Sequence, residues 1–298
     1  MKTSLKENKM KGIYTAIITP FDDFGDIHFK KLHTLIDRQI DAGVSGIVVN
    51  GTTAESPTLL STEVFQLIEW TQEKLKDTSL SIIVGTGTNS TQTTIENSQR
   101  VDRMGVDGLL IVTPYYNKPN ATGLYSHFET AARSIKSPVI LYQIPGRSIV
   151  SIPPEMVARL SLIPNIEVIK DATGNMNYFN KLKIELKKMN SSLNFLSGDD
   201  GSFIDFLKNG GDGAISAFAN VCPHELVQIQ NAFNKNKIDK AEEIFQSIQP
   251  LMNACFLETN PIGIKYALGC PKVRLPLGPL DKKNQNIIDQ YIKKDLFL

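Results

Sequence analysis

The sequence has few of the residues that form disulfides or hold metal ions. Its three cysteines are far apart and in no paired spacing: Cys222, Cys255 and Cys270. This pattern argues against a disulfide framework or a zinc site and is typical of a reducing cytoplasm. The four histidines are equally scattered, at positions 28, 33, 127 and 224. Because no ligands cluster, we predict no metal site.

The sequence also lacks a charge excess and any long hydrophobic run. A formal net charge of +1 gives no reason to expect nucleic acid or a membrane surface as a partner. No run of about 18 apolar residues is present, so no transmembrane helix is expected. Met1 to Lys11 is polar without an apolar core, which predicts that there is no signal peptide. We therefore expect a cytoplasmic protein.

What the sequence does contain is a regular alternation of short apolar runs and longer amphipathic stretches. With 298 residues, 41% of them hydrophobic, the chain is long enough for a large core. The short runs are apolar throughout, as expected for parallel strands covered on both sides. The predicted strands are 13–18, 46–50, 80–85, 108–112, 139–143, 166–170, 194–197 and 213–216.

Eight such strand–helix units in series predict an α/β fold, a (β/α)8 TIM barrel rather than a doubly wound sheet. After about residue 220 only helical patterns remain, over Pro223 to Asn234, Ile238 to Leu257 and Ile262 to Leu268. We therefore predict a barrel over residues 12–220, the part expected to hold any catalytic site, and a C-terminal helical extension, packed on the barrel, over residues 221–298.

One lysine closes a predicted buried strand. Lys170 follows the apolar run 166–169, in which β-branched residues dominate. Desolvation at such a position disfavours the charged ammonium, so the amine can become neutral and attack a carbonyl. A lysine that extends to solvent, or pairs with Asp171, is the plainer alternative.

The turn after the second predicted strand is rich in hydroxyls. Gly51-Thr52-Thr53 exposes successive backbone N–H groups and hydroxyls, which suit a small carboxylate. The turn could equally be a helix entry, since Ser61 is a good N-cap and Glu55 could simply solvate the turn. Both interpretations remain open on these residues alone.

Two further residues near strand ends suit proton transfer and anion binding. Tyr142 ends the fifth predicted strand, beside the strand of Lys170 if the order is sequential. A phenol there can pass protons during carbinolamine formation and dehydration, and Thr52 can extend the relay. Arg147, in the following loop, can bind a carboxylate in bidentate fashion. A core tyrosine and a surface arginine are the alternatives.

Five segments at these strand ends carry a resemblance in order and spacing. They are Gly51 to Ser56, Val112 to Asn117, Leu141 to Arg147, Ile169 to Asn175 and Leu196 to Asp200. Together they resemble the dihydrodipicolinate synthase / N-acetylneuraminate lyase family of Schiff-base class I aldolases, over nearly the whole chain. The likeness is strongest to the members that condense pyruvate with L-aspartate 4-semialdehyde, on the branch leading to diaminopimelate and lysine.

The resemblance implies catalytic roles for four residues. Lys170 would form a Schiff base with the keto group of pyruvate, and Tyr142 would transfer protons. Thr52 would link Tyr142 to a second tyrosine, Tyr116, which in this family reaches across a tight dimer interface into the partner's site. The imine is the electron sink, so no metal or organic cofactor is expected.

The resemblance also implies a substrate-binding set. Thr53 would hold the pyruvate carboxylate, and Arg147 would hold the carboxylate of the semialdehyde. Ile215 would line the lysine pocket with its backbone carbonyl, and Gly198 completes the set. The family usually assembles as a tetramer, a dimer of tight dimers, so we expect a homo-oligomer.

Departures from the family pattern affect one turn and regulation. Ala54 replaces a glycine, and its methyl group could strain the turn if φ must be positive. Lysine-inhibited members carry a histidine and a glutamate at the places held here by Ser61 and Thr93. Loss of that carboxylate predicts weak or absent feedback inhibition by lysine.

Two other functions remain as alternatives. A 2-keto-3-deoxy sugar-acid aldolase, or a pyruvate lyase like N-acetylneuraminate lyase, would keep Lys170 and Tyr142 but use another acceptor pocket. Tyr116 and Arg147 favour the synthase over both. A non-catalytic keto-acid-binding protein is the more distant alternative.

Overall fold

Eight parallel strands close into a barrel in residues 10–292, the part of the chain that this computed structural model describes. The strands are β1 (Gly12–Ala16), β2 (Gly46–Val49), β3 (Ser81–Gly85), β4 (Gly108–Val112), β5 (Val139–Gln143), β6 (Ile166–Asp171), β7 (Asn194–Ser197) and β8 (Gly213–Ser216). They follow one another in sequence order around the barrel, and β1 pairs with both β2 and β8. The predicted (β/α)8 TIM barrel is confirmed.

Helices surround the strands. Their bounds are α1 (Phe29–Ala42), α2 (Ser61–Leu75), α3 (Thr91–Asp102), α4 (Ala121–Arg133), α5 (Pro145–Ser148), α6 (Pro154–Leu160), α7 (Met176–Lys188), α8 (Phe203–Lys208), α9 (Pro223–Asn234), α10 (Ile238–Cys255), α11 (Ile262–Ala267) and α12 (Lys282–Ile288). Leu32 and Ile36, four residues apart on α1, are buried, whereas Ile40 is only partly buried.

All eight predicted strands are present, with small differences at their ends. The first was predicted to reach Ile18, but β1 ends at Ala16. Ile17 still donates its N–H to the carbonyl of Val48, whereas the N–H of Ile18 donates to Asn220 Oδ1 at 3.1 Å. The ladder ends there because a side chain replaces the neighbouring strand as hydrogen-bond acceptor.

The strands read as continuous apolar runs because both of their faces are buried. One face fills the barrel interior, with side chains that include Tyr14, Val48, Leu110, Tyr142 and Ile215. The other face packs against the surrounding helices in a larger cluster. The carboxyl ends of all the strands meet at one end of this packed barrel, where functional groups are expected.

The C-terminal helices pack on the barrel and on one another. Helix α9 contacts β1 and α1, and α10 contacts α9, α11 and α12. The three helices predicted after residue 220 are present, while α12 lies in a stretch for which no helix was predicted. The division into a catalytic barrel over 12–220 and an extension over 221–298 stays a prediction.

Within residues 10–292, no helix combines the length and apolar character needed to cross a bilayer. The same residues contain no group of three or more histidine, cysteine, aspartate or glutamate side chains placed to hold a metal ion. Residues 1–9, most of the segment whose polarity argued against a signal peptide, lie outside the described residues.

Candidate active site

Lys170 and Tyr142 meet inside the barrel near the carboxyl ends of β6 and β5. The two residues are direct partners in the β5–β6 ladder, and Lys170 Nζ lies 4.1 Å from the centroid of the Tyr142 ring. Both side chains are buried, at 6% and 4% exposed. The predicted neighbours are therefore brought into contact, with the amine over the face of the phenol.

Asp171 does not pair with Lys170, because consecutive strand residues point to opposite faces of the sheet. The Asp171 carboxylate accepts hydrogen bonds from Gln143 Nε2 at 3.0 Å and from both the N–H and the hydroxyl of Thr173 at 3.0 Å. Burial raises the pKa of this carboxyl group, and the hydrogen bonds from Thr173 and Gln143 oppose the rise. The alternative in which Lys170 pairs with Asp171 is not found.

Gly198 makes room for the Lys170 side chain. A Cβ atom at this position would lie 2.8 Å from Lys170 Cε, 3.1 Å from Lys170 Cγ and 2.9 Å from Ala172 Cβ. Approaches under 3.0 Å are essentially never seen between real side chains, so a larger residue would force the Lys170 side chain or its neighbours to move. The structure thus places Gly198 directly beside Lys170.

Asp200 holds the end of β8, which carries Ile215. Its buried carboxylate accepts hydrogen bonds from the hydroxyl of Ser216 and from the N–H groups of Ala217 and Phe218, the latter two at 3.2 and 3.1 Å. Burial raises the pKa of Asp200, while the hydrogen bonds and the charge of Lys170 lower it. Asp200 ends one of the five matching segments, Leu196 to Asp200, but the sequence alone indicates no role for it.

The hydroxyl-rich turn after β2 is a short 3-10 turn over Thr52–Ala54. Thr53 is buried, and its Oγ1 accepts a hydrogen bond from Asn260 Nδ2 at 2.9 Å. The carbonyl of Ala54 accepts one from Thr19 Oγ1 at 2.9 Å. Positive φ values fall on Asn50 and Glu55, at 56° and 60°, and not on Ala54. The Ala54 methyl group therefore causes no backbone strain here.

A cavity of about 440 Å³ opens beside this turn. Thr52, Tyr142 and Arg147 all line it, and Lys170 joins the group through its contact with the Tyr142 ring. Further lining residues come from α2 and α3: Ser61, Val64, Phe65, Asn97 and Val101. One concave site thus contains hydroxyls, a phenol and a guanidinium, with an amine against the phenol.

Arg147 and Tyr116 occupy more exposed positions. Arg147 lies on the short helix α5, and its Nη2 donates to the carbonyl oxygen of Asn260 at 3.0 Å. Tyr116 follows β4 with a φ of 73° and is 89% exposed. Tyr116 is not among the residues that line the cavity, and neither are Thr53, Gly198 and Ile215.

Sequence reasoning missed a buried ion pair next to the turn. Lys265 on α11 lies 2.6 Å from Glu55, with the two side chains 0% and 1% exposed. Burial lowers the pKa of Lys265, and the charge of Glu55 acts against that shift. The available signal was a lysine inside the otherwise apolar stretch 262–268. Glu55 is thus no surface residue that merely solvates the turn.

The chain is a (β/α)8 barrel of the kind found in many enzymes. The reactive groups described here lie at the carboxyl ends of barrel strands and in the loops that follow, as in other barrel enzymes.

Comparison with known proteins identifies the family of this barrel. The dihydrodipicolinate synthetase family matches residues 9–295. A 4-hydroxy-tetrahydrodipicolinate synthase from Methanococcus maripaludis is 42% identical over 282 residues, which are 93% of this chain and 95% of the relative. The chain belongs to the dihydrodipicolinate synthetase family.

Two solved structures agree with this assignment. Dihydrodipicolinate synthase from Thermotoga maritima is 34% identical with a TM-score of 0.90, covering 94% of this chain and 96% of that one. The chloride-inhibited dihydrodipicolinate synthase from Acinetobacter baumannii, complexed with pyruvate, is 35% identical with a TM-score of 0.89, covering 95% and 97%. The family resemblance inferred from the five segments is confirmed.

Proposed function

We propose that this protein is a 4-hydroxy-tetrahydrodipicolinate synthase that condenses pyruvate with L-aspartate 4-semialdehyde through a Schiff base on Lys170. The observation that carries the proposal is the buried Lys170 amine, held 4.1 Å from the Tyr142 ring in the space that Gly198 leaves. A relative of similar fold is described in complex with pyruvate, which supports pyruvate as the first substrate.

The proposed chemistry begins at the Lys170 amine. The amine attacks the keto carbon of pyruvate, and the carbinolamine loses water to give an imine. Loss of a proton from the pyruvate methyl group then gives an enamine, whose carbon adds to the aldehyde of the second substrate. The imine nitrogen accepts the electron pair at the deprotonation step, so the reaction needs no metal or organic cofactor.

Tyr142 is the proposed proton-transfer group. Carbinolamine formation and dehydration each move a proton, and a positioned phenol beside the reacting nitrogen can transfer it. Thr52 lines the same cavity, which supports a role for it in extending the relay. Tyr116 would complete it from the partner subunit, since the tyrosine is 89% exposed in the single chain.

Two groups are proposed to bind the substrate carboxylates. The turn with Thr53 would hold the carboxylate of pyruvate through backbone N–H groups and the Thr53 hydroxyl. Arg147, at the cavity edge, would hold the carboxylate of the semialdehyde, with which a guanidinium forms two parallel hydrogen bonds. The backbone of Ile215, in the same interior cluster as Tyr142, would line the lysine pocket.

The role given to Tyr116 requires a homo-oligomer, and we propose a tetramer built as a dimer of tight dimers. The proposed place of action is the cytoplasm, where the scattered cysteines would stay reduced. Regulation by lysine is proposed to be weak or absent. Thr93 offers a hydroxyl, hydrogen-bonded to Ser90 Oγ at 3.1 Å, where a carboxylate would be needed to pair with an ammonium group.

A coupled assay tests the proposed function. The protein is given pyruvate and L-aspartate 4-semialdehyde, and a dihydrodipicolinate reductase reports the product by oxidation of NADPH. We expect sustained turnover that depends on both substrates. If turnover is absent but borohydride still traps pyruvate on Lys170, a sugar-acid aldolase replaces the proposal. If nothing is trapped, the Schiff-base chemistry itself is refuted.

A further inference from the structure

The turn that carries Thr52 and Thr53 is tied to the C-terminal part of the chain through Glu55. Glu55 Oε1 lies 2.6 Å from Lys265 Nζ, and both side chains are buried. Glu55 Oε2 accepts the backbone N–H of Arg274 at 2.8 Å. Buried ion pairs pay a large desolvation cost and often add no more stability than apolar side chains of the same size. Stability alone is therefore a weak explanation for this pair.

The cation of the pair also contacts an aromatic ring, which it shares with a second cation. The ring of Phe21 lies 4.2 Å from Lys265 Nζ and 4.3 Å from Arg274 Cζ, measured to the ring centroid. The Arg274 guanidinium donates to both carboxylate oxygens of Glu63, at 2.5 and 2.8 Å. Glu55, Lys265, Arg274 and Glu63 thus form one network of contacts, in which Glu55 is the residue next to the Thr52–Ala54 turn.

The backbone of Glu55 is in an uncommon conformation. Its φ of 60° lies in the left-handed region, which residues other than glycine rarely adopt. Glu55 directly follows the Thr52–Ala54 turn, and its N–H donates to the carbonyl of Thr52 at 3.1 Å. Such conformations persist only where the surroundings hold them, and they are concentrated at functional sites. Here the surroundings are the ion pair and the N–H of Arg274.

Asn260 contacts both groups that are proposed to bind carboxylates. Its side-chain Nδ2 donates to Thr53 Oγ1 at 2.9 Å, and its backbone carbonyl oxygen accepts from Arg147 Nη2 at 3.0 Å. Because Thr53 Oγ1 accepts that bond, the hydroxyl hydrogen of Thr53 remains available to a substrate oxygen. Asn260 lies two positions before α11 and Lys265 lies within it. One short segment thus contacts Thr53, Arg147 and Glu55.

We propose that Glu55, Lys265 and Asn260 are positioning residues that hold the Thr53 turn in the geometry required to bind the carboxylate of pyruvate. This inference rests on the proposed function, because it assumes that pyruvate binds at Thr53. Its consequence is specific: loss of these contacts weakens pyruvate binding, while the attacking amine of Lys170, which lies on another strand, keeps its reactivity.

The test measures the rate of borohydride trapping over a range of pyruvate concentrations, together with the melting temperature. In the double variant Glu55→Gln/Lys265→Met both buried charges are removed, so the melting temperature is expected to stay close to that of the wild type. The half-saturating pyruvate concentration should rise by about tenfold, the weight of one hydrogen bond to a charged group. The maximal trapping rate should change much less. Lys208→Met, which removes the surface pair with Glu242, is the matched control. It should alter neither the half-saturating pyruvate concentration nor the maximal trapping rate.

Asn260→Ala probes the same claim without a buried charge, and decides the matter if the double variant does not fold. Like the double variant, it should raise the half-saturating pyruvate concentration. If borohydride traps pyruvate on the wild type, and the half-saturating pyruvate concentration of these variants equals that of the wild type, this inference is overturned and the proposed function stands. A wild type that is not trapped at all would refute the proposed function and this inference with it.

Discussion

Lys170 and Tyr142 are register partners in neighbouring parallel strands, and the lysine amine lies 4.1 Å from the tyrosine ring centroid. Their backbones are fixed by the β5–β6 ladder and not by a loop. Reactive groups on strands are held more precisely than groups on loops. The register of the barrel therefore aligns the proposed nucleophile with the proposed proton-transfer group.

The space beside Lys170 leads to a prediction for Gly198. Gly198→Ala places a methyl group 2.8 Å from Lys170 Cε, and overpacking of this kind costs about 1–3 kcal/mol. If the lysine moves to relieve it, turnover should fall by roughly tenfold or more. Steady-state kinetics and borohydride trapping measure the effect.

Gly201→Ala is the matched control for Gly198→Ala. It lies in the same loop, and a Cβ there would approach no atom closer than Asp199 Oδ2 at 3.8 Å. We expect turnover close to that of the wild type. Equal losses in the two variants would show that the loop in general, and not the space beside Lys170, is sensitive to substitution.

The proposed relay predicts a large effect of removing one hydroxyl group. Tyr116→Phe keeps the ring but cannot transfer a proton, and general acid–base groups contribute about 10²–10⁴-fold to rate. We expect kcat to fall by at least about 100-fold, with an unchanged melting temperature and oligomeric state. Tyr291→Phe, at another exposed tyrosine, is the control. Near-normal turnover of Tyr116→Phe would contradict the relay.

The buried histidine His127 predicts a loss of stability in acid. Burial lowers its pKa from 6.5 to about 4. Below about pH 6.5 the imidazole of the unfolded chain binds a proton, whereas the buried imidazole of the folded chain stays neutral until about pH 4. The stability that depends on neutral His127 is therefore fully present above about pH 6.5 and is lost as the pH falls toward 4. Between about pH 7 and about pH 5, the free energy of unfolding should drop by about 2 kcal/mol on this account.

Urea unfolding at the two pH values measures this drop. His127→Gln removes the titrating imidazole and should show a smaller loss of stability than the wild type. His224→Gln, at an exposed position, is the matched control and should behave as the wild type does. An equal loss in wild type and His127→Gln would show that other groups cause the acid sensitivity.

The lysine prediction concerns the initial rate. With Ser61 and Thr93 in place of a histidine and a glutamate, the protein offers no carboxylate at those positions for the ammonium group of lysine. We expect millimolar lysine to leave the initial rate of the coupled assay nearly unchanged. A strong, saturable fall in the rate would contradict this.

The sequence predicted the barrel well because its signal is local. Parallel strands buried on both faces give short apolar runs, and each of the eight runs proved to be a strand. The same local signal located Lys170, since a lysine that closes a buried strand is unusual. The placement of Gly198 against its side chain followed only from the folded chain.

The contacts that sequence reasoning missed join distant parts of the chain. Glu55 and Lys265 are 210 positions apart, and no periodic pattern connects them. Asn260 and Thr53 are 207 positions apart, and no periodic pattern connects them either. Tyr116 differs again, because its proposed role depends on a second subunit and no contact within one chain can test it.

The proposed Schiff base on Lys170 is tested by finding which residue carries pyruvate. The protein is incubated with pyruvate, reduced with borohydride, digested and examined by peptide mass spectrometry. We predict that the mass of one reduced pyruvate appears on the peptide with Lys170, and that Lys170→Met abolishes it. An adduct on another lysine, such as the buried Lys265, or no adduct at all, would contradict the proposed Schiff base on Lys170.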